Sequence, residues 1–533
     1  MEAKQGARRS LPRVDQKAED LVGSNVDQAK SHDLVFAVTG YAGAGASWVA
    51  TALADKLTAA GYVARTIQLS ELIKTACAKL GEPLKLEGLD KLTCTERLQG
   101  AGDDLRRGHG TTFVAGLGIR EVYQQREAAR AQNKDPQIAF IIDQLKHPDE
   151  EAALRAVYGN GFYLISVVCH PQVRRGRLTL KFKGSAPKQL SAFIERDEAA
   201  DEPHGQQVRK TLHRGDFFVS NDRQSAPSEG LHSEDPLSDG LERFVNIVLR
   251  RGVVRPTKHE RGMYSAWAAS LRSACLSRQV GAAILNESGE ILSTGTNDVP
   301  KYKGGLYEDD DGDADHRCYR WTARTGAPQC HNDHEKKQIY SQIYSELSEQ
   351  GLLSAAADAQ KVRRAIEGTR VRELIEFSRA VHAEMDALVS LARIGGLSCR
   401  NGSLYCTTYP CHSCARHIVA AGIAEVFFIE PYAKSMATDL HQDSICDSTE
   451  THGASEVQVN FQLFSGVAPR RYPRLFEKRS NLKDEEGYFK GSARESIHHD
   501  PVLTKSFKDL EREIAARIDD IERSAATVRP EGA

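Results

Sequence analysis

The chain lacks a charge excess of either sign: its 533 residues carry 71 Lys and Arg against 73 Asp and Glu. Proteins whose main task is to hold nucleic acid show a strong basic surplus, so that class is disfavoured, although a local basic groove is compatible with the balance. No uninterrupted apolar run reaches the length that a membrane-crossing helix needs, and no membrane association is expected. Residues 1–31 contain basic residues without an apolar core, which speaks against a secretory signal. Residues 1–32 read instead as a solvated, flexible arm. No fixed-period repeat is present. The 11 cysteines are odd in number, and many lie near histidines. Without an export signal they point to thiolate and metal chemistry in a reducing cytoplasm, not to a disulfide scaffold. The length exceeds one ordinary domain, and two large domains plus tails are expected.

What is present begins with residues 34–39, an apolar run suited to a buried parallel strand. It leads into Gly40-Tyr41-Ala42-Gly43-Ala44-Gly45-Ala46-Ser47 and a helix over 48–60. Further strands are expected at 62–69, 137–142, 162–168 and 216–220, with helices between them, including 71–80. Such alternation predicts a parallel sheet covered on both faces, an α/β unit over 33–254. The charged stretch 187–213 reads as a mobile lid. After Arg255-Pro256 the character changes. A helix over 258–275, strands at 280–285 and 291–294, an insertion at 300–380, a helix from His382, a strand at 403–407, a helix from Cys411 and a strand at 425–429 make a second α/β unit over 255–482. A charged tail, 483–533, holds one expected helix at 503–523.

The chemistry lies in His382-Ala383-Glu384 and Pro410-Cys411-His412-Ser413-Cys414. His382, Cys411 and Cys414 are the right donors for zinc, and a catalytic zinc takes three protein ligands and keeps one position open. Cys411 and Cys414, three apart at a helix start, can turn both sulfurs to one point. The helix N-terminus favours their thiolate forms. Pro410 suits the first turn of that helix. Glu384, two residues beyond the histidine ligand, is placed to move protons. The alternative is a structural zinc with Glu384 as a surface carboxylate, but structural sites close with four protein ligands. The pattern His-x-Glu…Pro-Cys-x-x-Cys is that of zinc nucleobase deaminases.

In the first unit, Gly40, Gly43, Gly45 and Ser47 lie in a loop similar to a Walker A motif, with Ala46 where the lysine belongs. Glycine backbone N–H groups and the following helix N-terminus remain to cradle phosphate, so nucleotide binding is possible while phosphoryl transfer is disfavoured. Asp143, ending an apolar strand, would hold Mg²⁺ with the nucleotide, or is an ordinary strand-end carboxylate. Arg196 in the charged stretch would replace the missing charge, or is an exposed arginine.

Arg272-Ser273-Ala274-Cys275, Arg278-Gln279-Val280-Gly281-Ala282, Gly295-Thr296-Asn297 and His382-Ala383-Glu384-Met385 together resemble the deoxycytidylate deaminase family. The resemblance implies a cytidine-deaminase-like α/β/α fold and places Asn297 and Ala383 at the substrate, Asn297 on the sugar; the alternative for Asn297 is a turn residue. It also implies a possible second, structural zinc drawn from Cys275, His316, Cys318, Cys330, His331 and His334, the alternative being a polar loop with unligated cysteines. The first unit resembles a nucleoside monophosphate kinase. The fusion of the two, with Ile429-Glu430-Pro431-Tyr432-Ala433-Lys434-Ser435 and Gly466-Val467-Ala468-Pro469-Arg470-Arg471-Tyr472, resembles the bacterial anti-phage dCTP deaminases. That resemblance implies deamination of dCTP, dCMP or both. It leaves room for an ATP, GTP or deoxynucleotide effector, a homo-oligomer, and an inhibitory RNA or protein. Two other readings stay open: a deaminase that edits tRNA or single-stranded DNA, and a nucleotide-sensing P-loop regulator with a passive deaminase fold.

Overall fold

The computed structural model describes residues 30–132, 137–200, 202–222, 236–323, 326, 328–354, 357–431, 435–447, 457–478, 483–488 and 502–503. Residues 1–29 of the arm expected at 1–32 and residues 504–523 of the tail helix expected at 503–523 lie outside them, as do Tyr432, Ala433 and Lys434. Lys30–Ser31 pairs antiparallel with Val502–Leu503, where that tail helix was expected to begin. No helix among the described residues is long and apolar enough to cross a membrane.

The apolar runs of the first unit become the strands β1 (Leu34–Gly40), β2 (Val63–Gln68), β3 (Ile138–Leu145), β4 (Phe162–Val168) and β5 (Phe217–Ser220). They form one parallel sheet in the order β5-β4-β1-β3-β2. β1 and β4 are buried at every residue, as central strands covered on both faces must be. β2, at the edge, is the polar run Val-Ala-Arg-Thr-Ile-Gln and buries only Ile67. Alternate residues of each central strand enter opposite cores. Leu34, Phe36 and Val38 face the helices α1 (Ala46–Ala59) and, later in the chain, 236–248, whereas Val35 and Ala37 face the helices of 69–131. This is the covered parallel sheet that the alternation predicts.

Residues 187–213, the stretch expected to act as a lid, are mostly helical. After α2 (Lys91–His109) and α3 (Pro171–Lys181), the chain forms α4 (Pro187–Glu198), and then Val208–Leu212. Leu190 and Phe193 of α4 bury against Leu92, Leu178 and Phe182. Asp197, one helical turn further on, is buried too, so residues 190, 193 and 197 form one inward face at helical spacing. The unit's last helix is α5 (Pro236–Val248).

The second unit is the expected α/β/α arrangement. Its strands are β6 (Gly281–Leu285), β7 (Ile291–Thr296), β8 (Ser403–Thr408), β9 (Glu425–Glu430), β10 (Ile445–Cys446) and β11 (Val459–Leu463), in the order β10-β11-β9-β8-β6-β7. β6 runs antiparallel to β7 and β8, while β8 to β11 are parallel. α6 (Lys258–Ser270) lies on one face. It stops short of the expected residue 275, where Ser273 Oγ donates to the Asn297 carbonyl and Asp298 accepts from the Ala274 N–H. The insertion contributes α7 (His331–Glu349), which buries only Tyr340. α8 (Ala383–Ile394) and α9 (His412–Ala420) lie on the opposite face of the sheet from α6.

The two units share a core. Val168, Leu212 and Phe218 of the first pack with Met263, Ala283, Tyr405, Phe427 and Phe464 of the second. The chain then returns to the first sheet: β12 (Gly466–Val467) pairs antiparallel with β5. Residues 466–471, expected within the second unit, thus close the edge of the first. Their anchor is Asp216, fully buried, whose Oδ1 accepts from Arg471 Nε at 2.9 Å and pairs with Arg470 at 3.1 Å. Its Oδ2 accepts from the Leu164 N–H at 2.8 Å and from Arg155 at 3.0 Å. From the other side, Glu260 accepts from the Val467 N–H at 2.8 Å and pairs with Arg243 at 2.7 Å.

Candidate metal centre and glycine loop

His382 and Cys411 occupy equivalent places. Each is the extended residue that caps a helix N-terminus, His382 for α8 and Cys411 for α9. The two helix ends therefore bring three donors together. His382 Nδ1 lies 3.3 Å from Cys411 Sγ and 3.4 Å from Cys414 Sγ, and all three ligand atoms fall within 4.8 Å of one another. A tetrahedral zinc with ordinary bond lengths separates its nitrogen and sulfur ligands by about 3.5 Å. The donor set and its spacing fit that ion. Among the described residues this is the one group of three His, Cys, Asp or Glu so gathered.

The electrostatics agree. The hydrogen bond to the Cys411 sulfur raises His382 to about 9. Cys411 is lowered to about 4, first by its hydrogen bond with Cys414 and then, against burial, by His382. Cys414 is pushed up by that same bond and by burial. Glu384 lies in the first turn of α8 and is 4% exposed. Burial pushes its carboxyl up, against the pull of His382. Burial of this kind favours the protonated form of a carboxyl.

Asn297 directly follows β7 and is buried. Its Oδ1 accepts from the Val280 N–H at 2.7 Å, and its Nδ2 donates to the Arg278 carbonyl at 2.7 Å. One amide N–H and one Oδ1 lone pair lie outside these two bonds. Ala383 turns its methyl into the core of the second unit, so only its backbone is available to a ligand.

Among the described residues, those expected for a second metal form no group of three donor atoms within 4.8 Å of one another. Cys275, Cys318 and Cys330 line one cavity of about 130 Å³ that also touches Asn297 and His382. The His331 backbone N–H reaches the Cys318 sulfur while its Nδ1 bonds with the Phe377 carbonyl, the His316 ring lies 5.9 Å from that of Tyr307, and His334 is exposed along α7, 3.4 Å from Gln338. The spacing 331 and 334 places the two on a helix whose exposed side carries His334, which the irregular sequence context did not reveal.

In the first unit the glycine loop has the conformation its composition requires. Gly43 and Gly45 adopt φ of 82° and 86°, and a Cβ on Gly45 would collide with Asn221. The Gly43 and Ala44 carbonyls are held from behind by Arg177 at 3.2 and 3.4 Å, and Ala44 also by Asn221 at 2.7 Å. Ser47 interacts with Asp143 and accepts from Gln144 at 2.9 Å. Burial raises the Asp143 carboxyl. Arg196, expected as a possible substitute cation, instead pairs with Asp103 at 2.8 Å. Besides Arg177, a second cation reaches the loop: Lys146, just past β3, with Nζ 3.3 Å from the Gly40 carbonyl. No motif marks it, since the contact joins residues 106 apart.

Residues 256–430 match the cytidine and deoxycytidylate deaminase zinc-binding region. A deoxycytidylate deaminase of Saccharomyces cerevisiae is 22% identical over 275 residues, which cover 51% of this chain and 69% of that protein. A deoxycytidylate deaminase of Enterobacteria phage T4 is 29% identical over 170 residues, 32% of this chain and 76% of that protein. A solved shikimate kinase from Bacteroides thetaiotaomicron is similar over 41% of this chain and 98% of its own, at 16% identity and a TM-score of 0.24.

Proposed function

We propose that this chain is a zinc-dependent hydrolytic deaminase of deoxycytidine nucleotides, converting dCMP, dCTP or both to the deoxyuridine nucleotide and ammonia. The observation that carries the reading is the meeting of His382, Cys411 and Cys414 beside a buried Glu384, inside the stretch that matches the zinc-binding region. Zinc held by those three side chains supplies the Lewis acidity that makes hydroxide available from water near neutral pH. Glu384 takes the proton from the attacking water and delivers it to the cytosine ring nitrogen. It then assists departure of the C4 amine as ammonia, so that one C–O bond forms as one C–N bond breaks. Asn297, through its remaining N–H and lone pair, contacts the sugar.

The two-unit architecture extends the reading to depletion of dCTP during phage infection, by its resemblance to the anti-phage dCTP deaminases. Plaque counts on bacteria carrying the wild type and Glu384→Ala check that extension: protection must disappear with the variant. The chemistry itself is tested by measuring ammonia and uracil products from dCMP, dCTP and a cytosine-containing oligonucleotide. Turnover of the free nucleotides alone supports the proposal. Turnover of the oligonucleotide alone makes the protein a strand editor, and nucleotide binding without any uracil product makes it a P-loop regulator.

A further inference from the structure

We propose that the first unit binds a nucleoside polyphosphate over its glycine loop, with Lys146 supplying the positive charge that Ala46 omits and Asp197 occupying that charge until phosphate displaces it. Lys146 Nζ lies 2.8 Å from Asp197 Oδ1, and Asp197 Oδ2 accepts from the Ala42 N–H of the loop at 2.6 Å. One loop N–H and one ammonium thus converge on a single carboxylate that is 1% exposed. Those are the donors a phosphate oxygen uses, and a carboxylate is their internal substitute. Asp197 belongs to α4, so the stretch expected to act as a lid carries the anion that fills the site.

The space around this contact is that of a ligand site. A cavity of about 810 Å³ is lined by Gly45, Ser47, Asp143, Lys146 and Asp197, within the range of small-molecule pockets. Its wall includes Leu98, Val114, Phe182 and Phe193, apolar surface against which a base can lie. Two buried acceptors lining the same cavity, Asp143 Oδ1 and Gln99 Oε1, have no hydrogen-bond partner. Buried polar atoms are normally satisfied, so such orphans call for a ligand. An unpaired carboxylate oxygen next to a phosphate cradle suits the magnesium that accompanies a polyphosphate. This site stands apart from the deaminase reading and does not depend on it.

Titration calorimetry on the full chain tests the proposal, with Mg²⁺ present and ATP or inorganic tripolyphosphate as the probe. Lys146→Met is expected to weaken ATP binding at least tenfold, with Lys146→Arg recovering part of the loss. Asp197→Asn is expected to strengthen it at least threefold by removing the competing anion. Because Lys146→Met alone leaves Asp197 buried without its cation, the double variant with Asp197→Asn is measured too, and it is expected to bind at least tenfold more weakly than Asp197→Asn alone; equal binding by the two overturns the role of Lys146. Tighter binding of ATP than of tripolyphosphate supports a nucleoside ligand, and equal binding overturns that part. Unchanged affinity in a Lys146→Met variant that melts like wild type overturns the proposal. So does weaker binding by Asp197→Asn, or failure of both probes to bind wild type and Asp197→Asn alike.

Discussion

Replacing Asp216 by asparagine tests how the return of residues 466–471 joins the two units. The carboxylate meets Arg155, Arg470 and Arg471 with no exposure to solvent. Removing one partner of a buried ion pair costs about 3–5 kcal/mol, because the remaining charge is left uncompensated. Arg155 keeps Glu151 at 2.6 Å, and Arg470 keeps it at 3.8 Å, so the loss lies near the lower end, about 3 kcal/mol. For a unit of roughly 200 residues, 1 kcal/mol shifts the melting temperature by about 2–4 °C, so a fall of about 6–12 °C is expected. Scanning calorimetry at fixed heating rate reads it. Glu367→Ala serves as the control, since its pair with Arg363 is largely exposed and is worth about 0.3–0.5 kcal/mol. A fall below about 2 °C for Asp216→Asn, indistinguishable from that control, would refute the reasoning. The same group gives an acid dependence. Burial pushes its carboxyl up, but Arg470, Arg471 and Arg155 outweigh burial and hold it below the usual range. Its contribution is therefore complete above the ordinary aspartate value of about 3.9 and is lost as pH falls through the depressed folded value.

Adding zinc to metal-free protein at pH 7 in weak buffer should release about two protons per ion, from His382, which is held protonated up to about 9, and from the Cys414 thiol. Uptake of zinc without acidification would contradict the ligand assignment. Phe464→Ala removes a ring that is 1% exposed and packs edge-on to Phe218 with centroids 5.9 Å apart. A loss of about 3–5 kcal/mol in thermal or chemical unfolding is expected, and a loss under about 1 kcal/mol would show that the shared core is not tightly packed. Gly45→Ala must place a Cβ at φ 86° against Asn221. It should lower stability by more than about 1 kcal/mol, and an unchanged melting temperature would show that the loop can relax.

Much of the fold was legible because the strands declare themselves. Residues 34–40, 138–145 and 162–168 are apolar on both faces, which only a covered parallel sheet explains. The metal site was legible for a different reason. Its donors come in two short segments, and helix geometry at each N-terminus does the rest. What stayed hidden depends on partners remote in sequence. The charged residues of 187–198 mask an inward face formed by Leu190, Phe193 and Asp197. The strands at 445–446 and 466–467 are two residues long and exist only because a sheet edge awaits them. Lys146 and Asp197 are 51 residues apart, and Asp216 and Arg471 are 255 apart, beyond any local pattern.

The most direct test of the deaminase is Glu384→Ala, with zinc content by atomic absorption and ammonia release from dCMP and dCTP measured on one preparation. Wild type should carry zinc on His382, Cys411 and Cys414 and turn over at least one of the two nucleotides, while the variant keeps its zinc and loses turnover. Turnover undiminished in the variant, or a wild-type protein that deaminates with no zinc bound, would contradict it.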